Sequence, residues 1–218
     1  MSYKLIVFDM DGVLIKEDSS WQVLHSYFHV NAMNNFRAYL EGKITYKEFM
    51  FLDTLLWLKK KEETISKPEI AKVLFRTSLT SDAKEAIAEL KKLGLKTAII
   101  TSGINILAEH VARTLNVDYF LANSLTFDEK GYLKAGGKPK VPLLDKDKVL
   151  SIWAKKNGFN LNEIIYVGDS VFDVPVFKRV GLSIAWTCNQ SLGKNATIYL
   201  CCDELKCLVE LVEKYLKS

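Results

Sequence analysis

Five short runs of apolar, β-branched residues constrain the fold of this chain more than any other feature. They cover residues 3–8, 96–100, 163–167, 181–186 and 197–201. Runs of this length and composition are typical of strands that are buried on both faces of a sheet. Segments with helical periodicity separate most of them, and strands that alternate with helices form a parallel sheet. We therefore predict an α/β fold built on a parallel sheet.

The segments between these runs carry apolar residues at helical spacing. We expect helices over residues 82–92, 104–115, 147–157 and 203–216. Ser81 and Asp82 are the expected cap of the first of these helices, and a glycine follows the first and the third as a stop signal.

Two stretches depart from the alternation of strand and helix. Residues 16–77 lack β-branched runs and are rich in aromatic residues and helix formers, which predicts an all-helical insert after the first strand. Residues 127–141 contain the turn sequence Asp128–Gly131, which predicts a β-hairpin. The expected domains are a core of residues 1–15 and 78–218 and a cap of residues 16–77.

The composition is that of an ordinary globular protein. The chain has 218 residues, 49% hydrophobic and 26% charged, which is enough to bury a core. A net charge of +4 is too small to indicate nucleic acid and suits a small anionic ligand. No apolar run approaches the roughly 20 residues of a membrane helix. Because no signal-peptide pattern is evident, we expect a cytoplasmic protein without nucleic-acid or membrane partners.

The chain has four cysteines, which are Cys188, Cys201, Cys202 and Cys207. None of them forms a Cys-x-x-Cys pair, and the adjacent Cys201 and Cys202 suit a disulfide framework poorly. We therefore expect free thiols, as is usual in the cytoplasm.

Carboxylates follow two of the predicted strands. Asp9 and Asp11 come after the first strand, and Asp169 and Asp173 come after the strand of residues 163–167. Parallel strands end at one edge of the sheet, where α/β proteins bind their ligands. Four carboxylates at one edge repel one another unless a cation joins them, and ligands that are all oxygen suit Mg²⁺.

With a cation present, one of these carboxylates can attack phosphorus. Asp9 ends the first strand directly and is the candidate nucleophile that would form an aspartyl-phosphate. Asp11 can protonate the leaving oxygen and then deprotonate water. Thr101 and the backbone N–H groups of Ser102 and Gly103 can hold phosphate oxygens at the helix N-terminus expected there. The transferring phosphoryl group also needs a lysine.

Three strings resemble motifs of the haloacid dehalogenase superfamily. Asp9–Leu14 resembles motif I, Ile99–Thr101 motif II and Gly168–Asp173 motif IV. Within the superfamily the chain is most similar to the phosphoserine phosphatase-like branch, on the strings Glu41–Glu48 and Ala122–Leu125. The resemblance covers nearly the whole chain. It implies a Rossmann-like parallel sheet, a helical cap of the C1 type, and an Mg²⁺-dependent phosphomonoester hydrolase that works through an aspartyl-phosphate.

The resemblance also implies roles for single residues. Asp9 is then the nucleophile, Asp11 the general acid and base, and Lys146 the motif III lysine, with Lys148 and Lys140 as its rivals. The implied ligands of Mg²⁺ are Asp9, the Asp11 carbonyl and Asp169, and Asp173 would hold the water shell of the ion. The implied ligands of the phosphate are Thr101, Ser102 and Lys146.

Two aspartates of the cap bear on the substrate. Phosphoserine phosphatases of this branch hold serine with an acidic residue after motif I and an arginine in the cap. Asp18 stands at the first position to meet the ammonium, and Asp53 falls at or next to the second. An aspartate there repels a substrate carboxylate, so we expect phosphoserine to be a poor substrate. A slip in this alignment would bring in Arg37 or Arg76 instead.

Other functions stay open at this point. A phosphoserine phosphatase proper or a phosphomutase uses the same motifs, whereas a dehalogenase has no need of the acid Asp11. A signalling receiver module carries its phosphorylated aspartate on a later strand. A non-catalytic protein that binds a phosphorylated ligand would lack Asp9 or Asp11, and both are present. The expected partner is a small phosphorylated metabolite, and the oligomeric state is not predicted.

Some side chains of the cap are expected to be structural. His25 and His29 lie four residues apart and could share a helix face toward a metal, but no further ligand is evident, so packing is favoured. Four aromatic residues are expected mainly in the interior of the cap: Trp21, Phe49, Phe51 and Trp57.

Overall fold

The computed structural model describes residues 3–217. Seven strands form one sheet in the order β4-β3-β2-β1-β5-β6-β7. Neighbouring strands are parallel except β3 and β4, which form the antiparallel hairpin that the Asp128–Gly131 turn predicts. The predicted α/β class is confirmed. The strands are β1 Leu5–Phe8, β2 Lys96–Ile104, β3 Tyr119–Phe127, β4 Leu133–Lys138, β5 Ile164–Gly168, β6 Leu182–Trp186 and β7 Ile198–Leu200.

Ten α-helices occur among the described residues, and the first four make up the segment that is inserted after β1. The helices are α1 Ser20–Tyr27, α2 Met33–Leu40, α3 Tyr46–Lys61, α4 Lys67–Leu74, α5 Ala83–Lys92, α6 Asn105–Leu115, α7 Lys146–Lys156, α8 Val174–Phe177, α9 Gln190–Gly193 and α10 Lys206–Lys217. The insert after the first strand is therefore helical, while its division from the core as a separate domain stays a prediction.

Local signals fix where the inserted helices begin. The Thr45 hydroxyl accepts a hydrogen bond from Glu48 N, and the Glu48 carboxylate accepts one from Thr45 N, so a capping box starts α3. Ser66 caps α4, with Pro68 in its first turn. The inserted helices meet the sheet through α3, where Thr54 Oγ1 accepts a hydrogen bond of 2.7 Å from Gly136 N on β4.

Apolar layers cover both faces of the sheet. On one face a single cluster joins sheet residues such as Phe8 and Ile99 to Leu24 and Trp57 of the inserted helices. On the other face a smaller cluster joins the sheet to α7, where Leu150 is fully buried. The inserted helices thus share one continuous apolar interior with the sheet.

Strand β2 is longer than predicted. The sequence predicts a strand that stops at residue 100, but β2 continues to Ile104, with a register shift against β3 between Ile100 and Ile104. Helix α6 nevertheless begins at Asn105, one residue later than predicted, with Ile104 as its N-cap. Residues 101–103 therefore lie directly before a helix N-terminus, as the sequence predicts.

One prediction about a side chain is also wrong. Asp82 makes no side-chain cap on α5. Its carboxylate instead accepts hydrogen bonds from the backbone N–H groups of Leu205 and Lys206, at 2.9 and 2.7 Å, and so serves the start of α10. Asp82 therefore satisfies orphan N–H groups at the start of a distant helix instead of those of its own helix.

The cysteines are paired rather than free. Disulfides join Cys188 to Cys201 and Cys202 to Cys207. Because β6 and β7 are parallel neighbours, they end at the same edge of the sheet. Cys188 follows β6 and Cys201 follows β7, so the two cysteines lie next to each other. The sequence spacing alone did not reveal this contact. None of the helices described in residues 3–217 is long and apolar enough to cross a membrane.

Candidate active site

The polar residues after β1, β2 and β5 meet at one edge of the sheet. β1 lies between β2 and β5, and Phe8 is in register with Ile99 on one side and Val167 on the other. A cavity of about 1030 Å³ lies over this edge and is walled on its other side by residues of the inserted helices. All predicted site residues except the fully buried Asp173 line this cavity. They are Asp9, Asp11, Asp18, Asp53, Thr101, Ser102, Gly103, Lys146 and Asp169.

Lys146 bridges two of the carboxylates. Its Nζ lies 2.5 Å from Asp9 Oδ2 and 2.6 Å from Asp173 Oδ1, and the lysine is 1% exposed. Burial alone would lower the lysine pKa, but the charges of Asp173 and Asp9 raise it above its ordinary value. The rival Lys148 pairs with Asp145 at the surface, and its side chain is 68% exposed. Lys146 is therefore the lysine that the fold brings to this site.

Asp9 is held rigidly at the end of β1. Met10 N donates a hydrogen bond of 2.7 Å to its Oδ1, while Lys146 holds Oδ2. Burial raises the pKa of Asp9, and Lys146 offsets this rise only in part. Both oxygens are oriented, which is what a nucleophile needs if it is to meet phosphorus at a fixed angle.

Asp173 orients Lys146 through a hydrogen bond from its Nζ. Besides the lysine, its carboxylate accepts hydrogen bonds from the Tyr166 hydroxyl at 2.7 Å and from Ser170 N and Oγ at 3.0 and 2.9 Å. Burial raises the pKa of Asp173, but Lys146 and these hydrogen bonds bring it below its ordinary value. Tyr166 lies on β5, where sequence reasoning assigned it only to the strand.

The carboxylates at this edge fit a divalent cation. One oxygen from each of Asp9, Asp169 and Asp173 lies within 4.8 Å of the others. Burial, with the charges of Asp9 and Asp173, raises the pKa of Asp169 to about 8, which shows that its anion lacks sufficient compensation. An all-oxygen set with an unbalanced negative charge suits Mg²⁺. Asp173 is the least available of the three because its oxygens already accept several hydrogen bonds.

Gly12 explains the glycine of the Asp-x-Asp-Gly string. Its φ is +73°, and a Cβ built there would lie 2.1 Å from Asp169 Oδ2. A side chain at this position would be strained in the backbone and would collide with the carboxylate. The glycine therefore allows motif I to close directly onto Asp169.

Asp11 has one oxygen fixed and one free. Ser20 N and Ser20 Oγ both donate to Asp11 Oδ2 at 2.9 Å, and Oδ1 is buried without a hydrogen-bond partner. Burial, more than the nearby Asp9, raises the pKa of Asp11 to about 7 even though Ser20 opposes it. A carboxyl group with such a pKa can both give and take a proton near neutral pH.

Ser20 is a site residue that sequence reasoning missed. It begins α1, is fully buried, and its Oγ also accepts a hydrogen bond of 3.2 Å from Ile104 N. It thus ties Asp11 to the end of β2. A Cβ on Gly103 would lie 2.7 Å from Ser20 Oγ, so the close approach requires a glycine. The only sequence signal was a serine at a helix start, which indicates a cap rather than a site.

The predicted phosphate-binding residues are buried at the end of β2. Gly103 N donates to Thr101 Oγ1 at 3.0 Å, so this N–H is already paired, contrary to the expected free donor. Ser102 Oγ is buried without a partner and faces no competing group for a ligand oxygen. The Ser102 carbonyl accepts hydrogen bonds from Trp21, Tyr46 and Asn123.

Asn123 joins three parts of the site and was also missed as a site residue. Its Nδ2 donates to the Tyr46 hydroxyl and to the carbonyls of Ser102 and Val141, at 2.8 to 3.0 Å. Its Oδ1 accepts from Lys140 N and Val141 N, both at 2.8 Å. The fully buried amide therefore connects α3, the end of β2 and the segment that leads to Lys146.

The cap residues fall into different environments. Asp18 lies exposed at the rim of the cavity, whereas Asp53 is fully buried. Neither Arg37 nor Arg76 lines the cavity, and none of its described lining residues is an arginine. The slipped alignment that would bring in one of these arginines is therefore not supported.

The two histidines do not form a pair. His25 is buried in α1, but α1 ends at Tyr27, and His29 follows in a left-handed conformation with φ of 52°. The predicted shared helix face is therefore absent. Of the four aromatic residues expected in the interior, Trp21, Phe49 and Trp57 are buried, while Phe51 is 45% exposed.

Comparison with known proteins agrees with this geometry. The haloacid dehalogenase-like hydrolase family matches residues 3–181. The phosphoserine phosphatase of Methanocaldococcus jannaschii is 30% identical over 216 residues, which are 98% of this chain and 98% of that protein. The phosphoserine phosphatase of Lactococcus lactis is 29% identical over 218 residues, covering 96% of this chain and 95% of that protein.

Solved structures give the same relationship. A substrate-bound phosphoserine phosphatase complex has a TM-score of 0.78 at 25% identity, over 97% of this chain and 99% of the other. A phospho-aspartyl intermediate analogue of phosphoserine phosphatase also has a TM-score of 0.78, at 26% identity and with the same coverage. The chain therefore belongs to the haloacid dehalogenase-like hydrolase family. The predicted similarity to its phosphoserine phosphatase-like branch is confirmed, and so is the predicted enzyme class, a phosphatase.

Proposed function

We propose that this chain is an Mg²⁺-dependent phosphomonoester hydrolase that forms an aspartyl-phosphate on Asp9 and acts on a small phosphorylated metabolite in the cytoplasm. One observation carries the proposal: Asp9 is fixed by Met10 and Lys146, while Asp11, two residues on, keeps Oδ1 free. One carboxylate is suited to attack phosphorus and the other to move a proton.

The reaction runs in two displacements. An oxygen of Asp9 attacks phosphorus, and as the new P–O bond forms the ester P–O bond breaks, with protonated Asp11 giving its proton to the leaving oxygen. Water then attacks the same phosphorus, Asp11 takes a proton from that water, and phosphate leaves as the Asp9 carboxylate is restored. A pKa of about 7 allows Asp11 to serve both steps.

The other residues bind charge and hold the phosphate. Asp9, Asp169 and the Asp11 carbonyl would hold Mg²⁺, with Asp173 toward its water shell; when bound, the ion supplies neutralisation of phosphoryl charge. Lys146 adds a fixed positive charge beside Asp9, and Thr101 and the free hydroxyl of Ser102 would hold phosphate oxygens. Residues 16–77 act as a cap that excludes water and shapes the pocket.

The substrate proposed here carries no carboxylate on its leaving group. The cavity offers no arginine to pair with one, and Asp53 repels it. Of the two lysines that line the cavity, Lys146 is already bound by Asp9 and Asp173, and Lys16 is exposed. We expect phosphoserine to be at least about tenfold worse in kcat/KM than the best member of a panel of phosphorylated metabolites.

The second candidate is phosphoserine itself, and the names of the relatives favour it. Those relatives, at 29–30% identity, are phosphoserine phosphatases. Finding phosphoserine as the best substrate in the panel would establish this candidate and overturn the argument from Asp53.

Hydrolysis of p-nitrophenyl phosphate tests the activity without any assumption about the substrate. Activity should be lost in EDTA and restored by Mg²⁺, with Ca²⁺ a poor replacement because it takes more ligands at longer distances. Full activity in EDTA with no bound metal would contradict the proposal. Release of phosphate without an isomeric phosphate ester distinguishes a phosphatase from a phosphomutase.

A further inference from the structure

Three buried side-chain oxygens lack a hydrogen-bond partner within residues 3–217. They are Asp11 Oδ1, Ser102 Oγ and Asp53 Oδ2, and all three residues line the same cavity. Buried polar groups in folded proteins nearly always have a partner, so an orphan in a cavity wall indicates where a ligand binds. The proposed reaction uses the first two for proton transfer and phosphate binding. It gives no role to Asp53, which lies on α3.

Asp53 presents a fixed negative charge without a countercharge. Asn35 Nδ2 donates a hydrogen bond of 2.8 Å to its Oδ1, which fixes the carboxylate. The side chain is fully buried, and no lysine or arginine of the described residues approaches it within 4 Å. A buried, unpaired carboxylate is costly, and a cationic partner removes most of that cost.

His25 is the nearest titratable neighbour of Asp53, and Trp57 holds its ring in place. Its Nε2 lies 3.3 Å from Asp53 Oδ2. On the other side, Trp57 Nε1 lies 2.9 Å from His25 Nδ1, and an indole nitrogen can only donate. Nδ1 must therefore be the acceptor of this hydrogen bond, which leaves Nε2 as the ring nitrogen that faces Asp53.

Aromatic rings complete this end of the cavity. Trp21, Phe36, Phe49 and Phe172 line it together with Asp53, and Phe36 contacts Phe172 edge to face with centroids 6.2 Å apart. The face of an aromatic ring attracts an ammonium group and repels an anion. A buried carboxylate among aromatic rings therefore suits a cation. Its pairing is screened less by water than pairing at the exposed Asp18.

We propose that Asp53, oriented by Asn35 and flanked by the imidazole of His25, binds an ammonium group on the leaving group, so that the substrates are phosphomonoesters of amino alcohols. This specificity rests on the proposed phosphomonoester hydrolase activity. Asp53 is a specificity-determining residue here and takes no part in the bond-breaking steps.

A matched pair of ligands tests the proposal. 2-Aminoethyl phosphate and 2-hydroxyethyl phosphate have nearly the same size and differ in the ammonium. Their binding is measured by calorimetry with Mg²⁺ on the Asp9→Asn variant, which should bind esters without hydrolysing them, and their kcat/KM is measured on the active enzyme. We expect the amine to be favoured at least about tenfold in both measurements.

Two variants assign the preference to Asp53. Asp53→Asn keeps the shape of the side chain but removes its charge, and should reduce the preference to below about twofold, while turnover of p-nitrophenyl phosphate changes little. Asn35→Ala leaves the charge but releases the carboxylate, and should reduce the preference only in part. This second variant keeps the test valid if the first folds poorly.

The contrary outcomes are distinct. Equal binding of both ligands, or a preference that survives Asp53→Asn and disappears in Asp18→Asn, would overturn the assignment of Asp53 and leave the hydrolase intact. If the Asp9→Asn variant binds neither ester and the active enzyme hydrolyses no phosphomonoester, both this inference and the proposed function are wrong.

Discussion

The two ends of the cavity are built in different ways. At the sheet edge, Asp9 and Asp169 directly follow buried strands, and Lys146 supplies a countercharge at 2.5 Å from Asp9. At the cap end, Asp53 lies in the middle of a helix, with Asn35 and His25 beside it. Sheet topology thus positions the residues proposed for the reaction, whereas helix packing positions the residue proposed to meet the leaving group. At the sheet edge Lys146 compensates the charge of Asp9, whereas no lysine or arginine of the described residues compensates the charge of Asp53.

The sharpest way to test this difference is Asp9→Asn. The amide keeps the volume but cannot attack phosphorus, so kcat should fall by more than about 10⁴-fold for every ester, whatever its leaving group. Steady-state release of phosphate measures it, and circular dichroism shows that the fold is retained. Near-normal turnover by this variant would exclude a covalent intermediate on Asp9.

Asn123 bonds to Tyr46 of the cap and to Ser102 on β2, so its removal should weaken both ends of the cavity. Asn123→Ala leaves the backbone N–H groups of Lys140 and Val141 without their acceptor and the Val141 carbonyl without its donor. It also removes one of the donors to the Ser102 carbonyl. We expect a loss of about 2–4 kcal/mol in the free energy of unfolding, measured by urea denaturation. Asn195→Ala provides the control, since that exposed amide bonds only near its own helix. An equal, small effect in both variants would contradict the structural role of Asn123.

Ser20 lies on an inserted helix, but its hydrogen bonds go to Asp11 at the sheet edge. Ser20→Ala removes one of the two hydrogen bonds that orient Asp11, and kcat should fall about tenfold with little change in KM, as expected when proton transfer alone is impaired. Asp11→Asn should cost about 10²- to 10⁴-fold. On that background Ser20→Ala should add almost nothing, because its effect passes through Asp11.

The neighbouring Ser19 is a matched control for Ser20. Its hydroxyl caps α1 by accepting a hydrogen bond from Gln22 N and has no bond to Asp11. Ser19→Ala should therefore lower stability slightly and leave kcat unchanged. If both serine variants slow the reaction equally, the effect comes from the start of α1 and not from Asp11.

The last prediction is a pH dependence of stability that is confined to the sheet edge. The pKa values of Asp11 and Asp169 are about 7 and about 8 in the folded protein and about 3.9 when unfolded. Between these values the folded protein holds more protons than the unfolded chain, so stability falls as pH rises. In EDTA, Tm should drop by roughly 7–15 °C from pH 6 to pH 8, because the two groups together lose about 3–4 kcal/mol over this interval. Saturating Mg²⁺ or Asp169→Asn should flatten this slope, whereas a Tm that rises with pH would contradict it.

The contrast between the two ends also explains what the sequence could predict. A carboxylate that follows an apolar strand has its place fixed by topology, so the meeting of Asp9, Asp11 and Asp169 could be predicted. Ser20 and Asn123 could not, because each acts through contacts with residues more than eight positions away that no local pattern encodes. The disulfide between Cys188 and Cys201 could not be predicted for the same reason, since it depends on the pairing of β6 with β7.

The apolar interior that the inserted helices share with the sheet has an evolutionary consequence. A segment whose aromatic and aliphatic side chains interlock with those of the sheet cannot be exchanged for another without rebuilding both partners. Descendants of this chain that acquire new substrates should therefore differ by point substitutions in the polar wall, at positions such as Asn35 and Asp53, while Leu24 and Trp57 persist. Diversification in this lineage would proceed by retuning single side chains rather than by grafting whole caps.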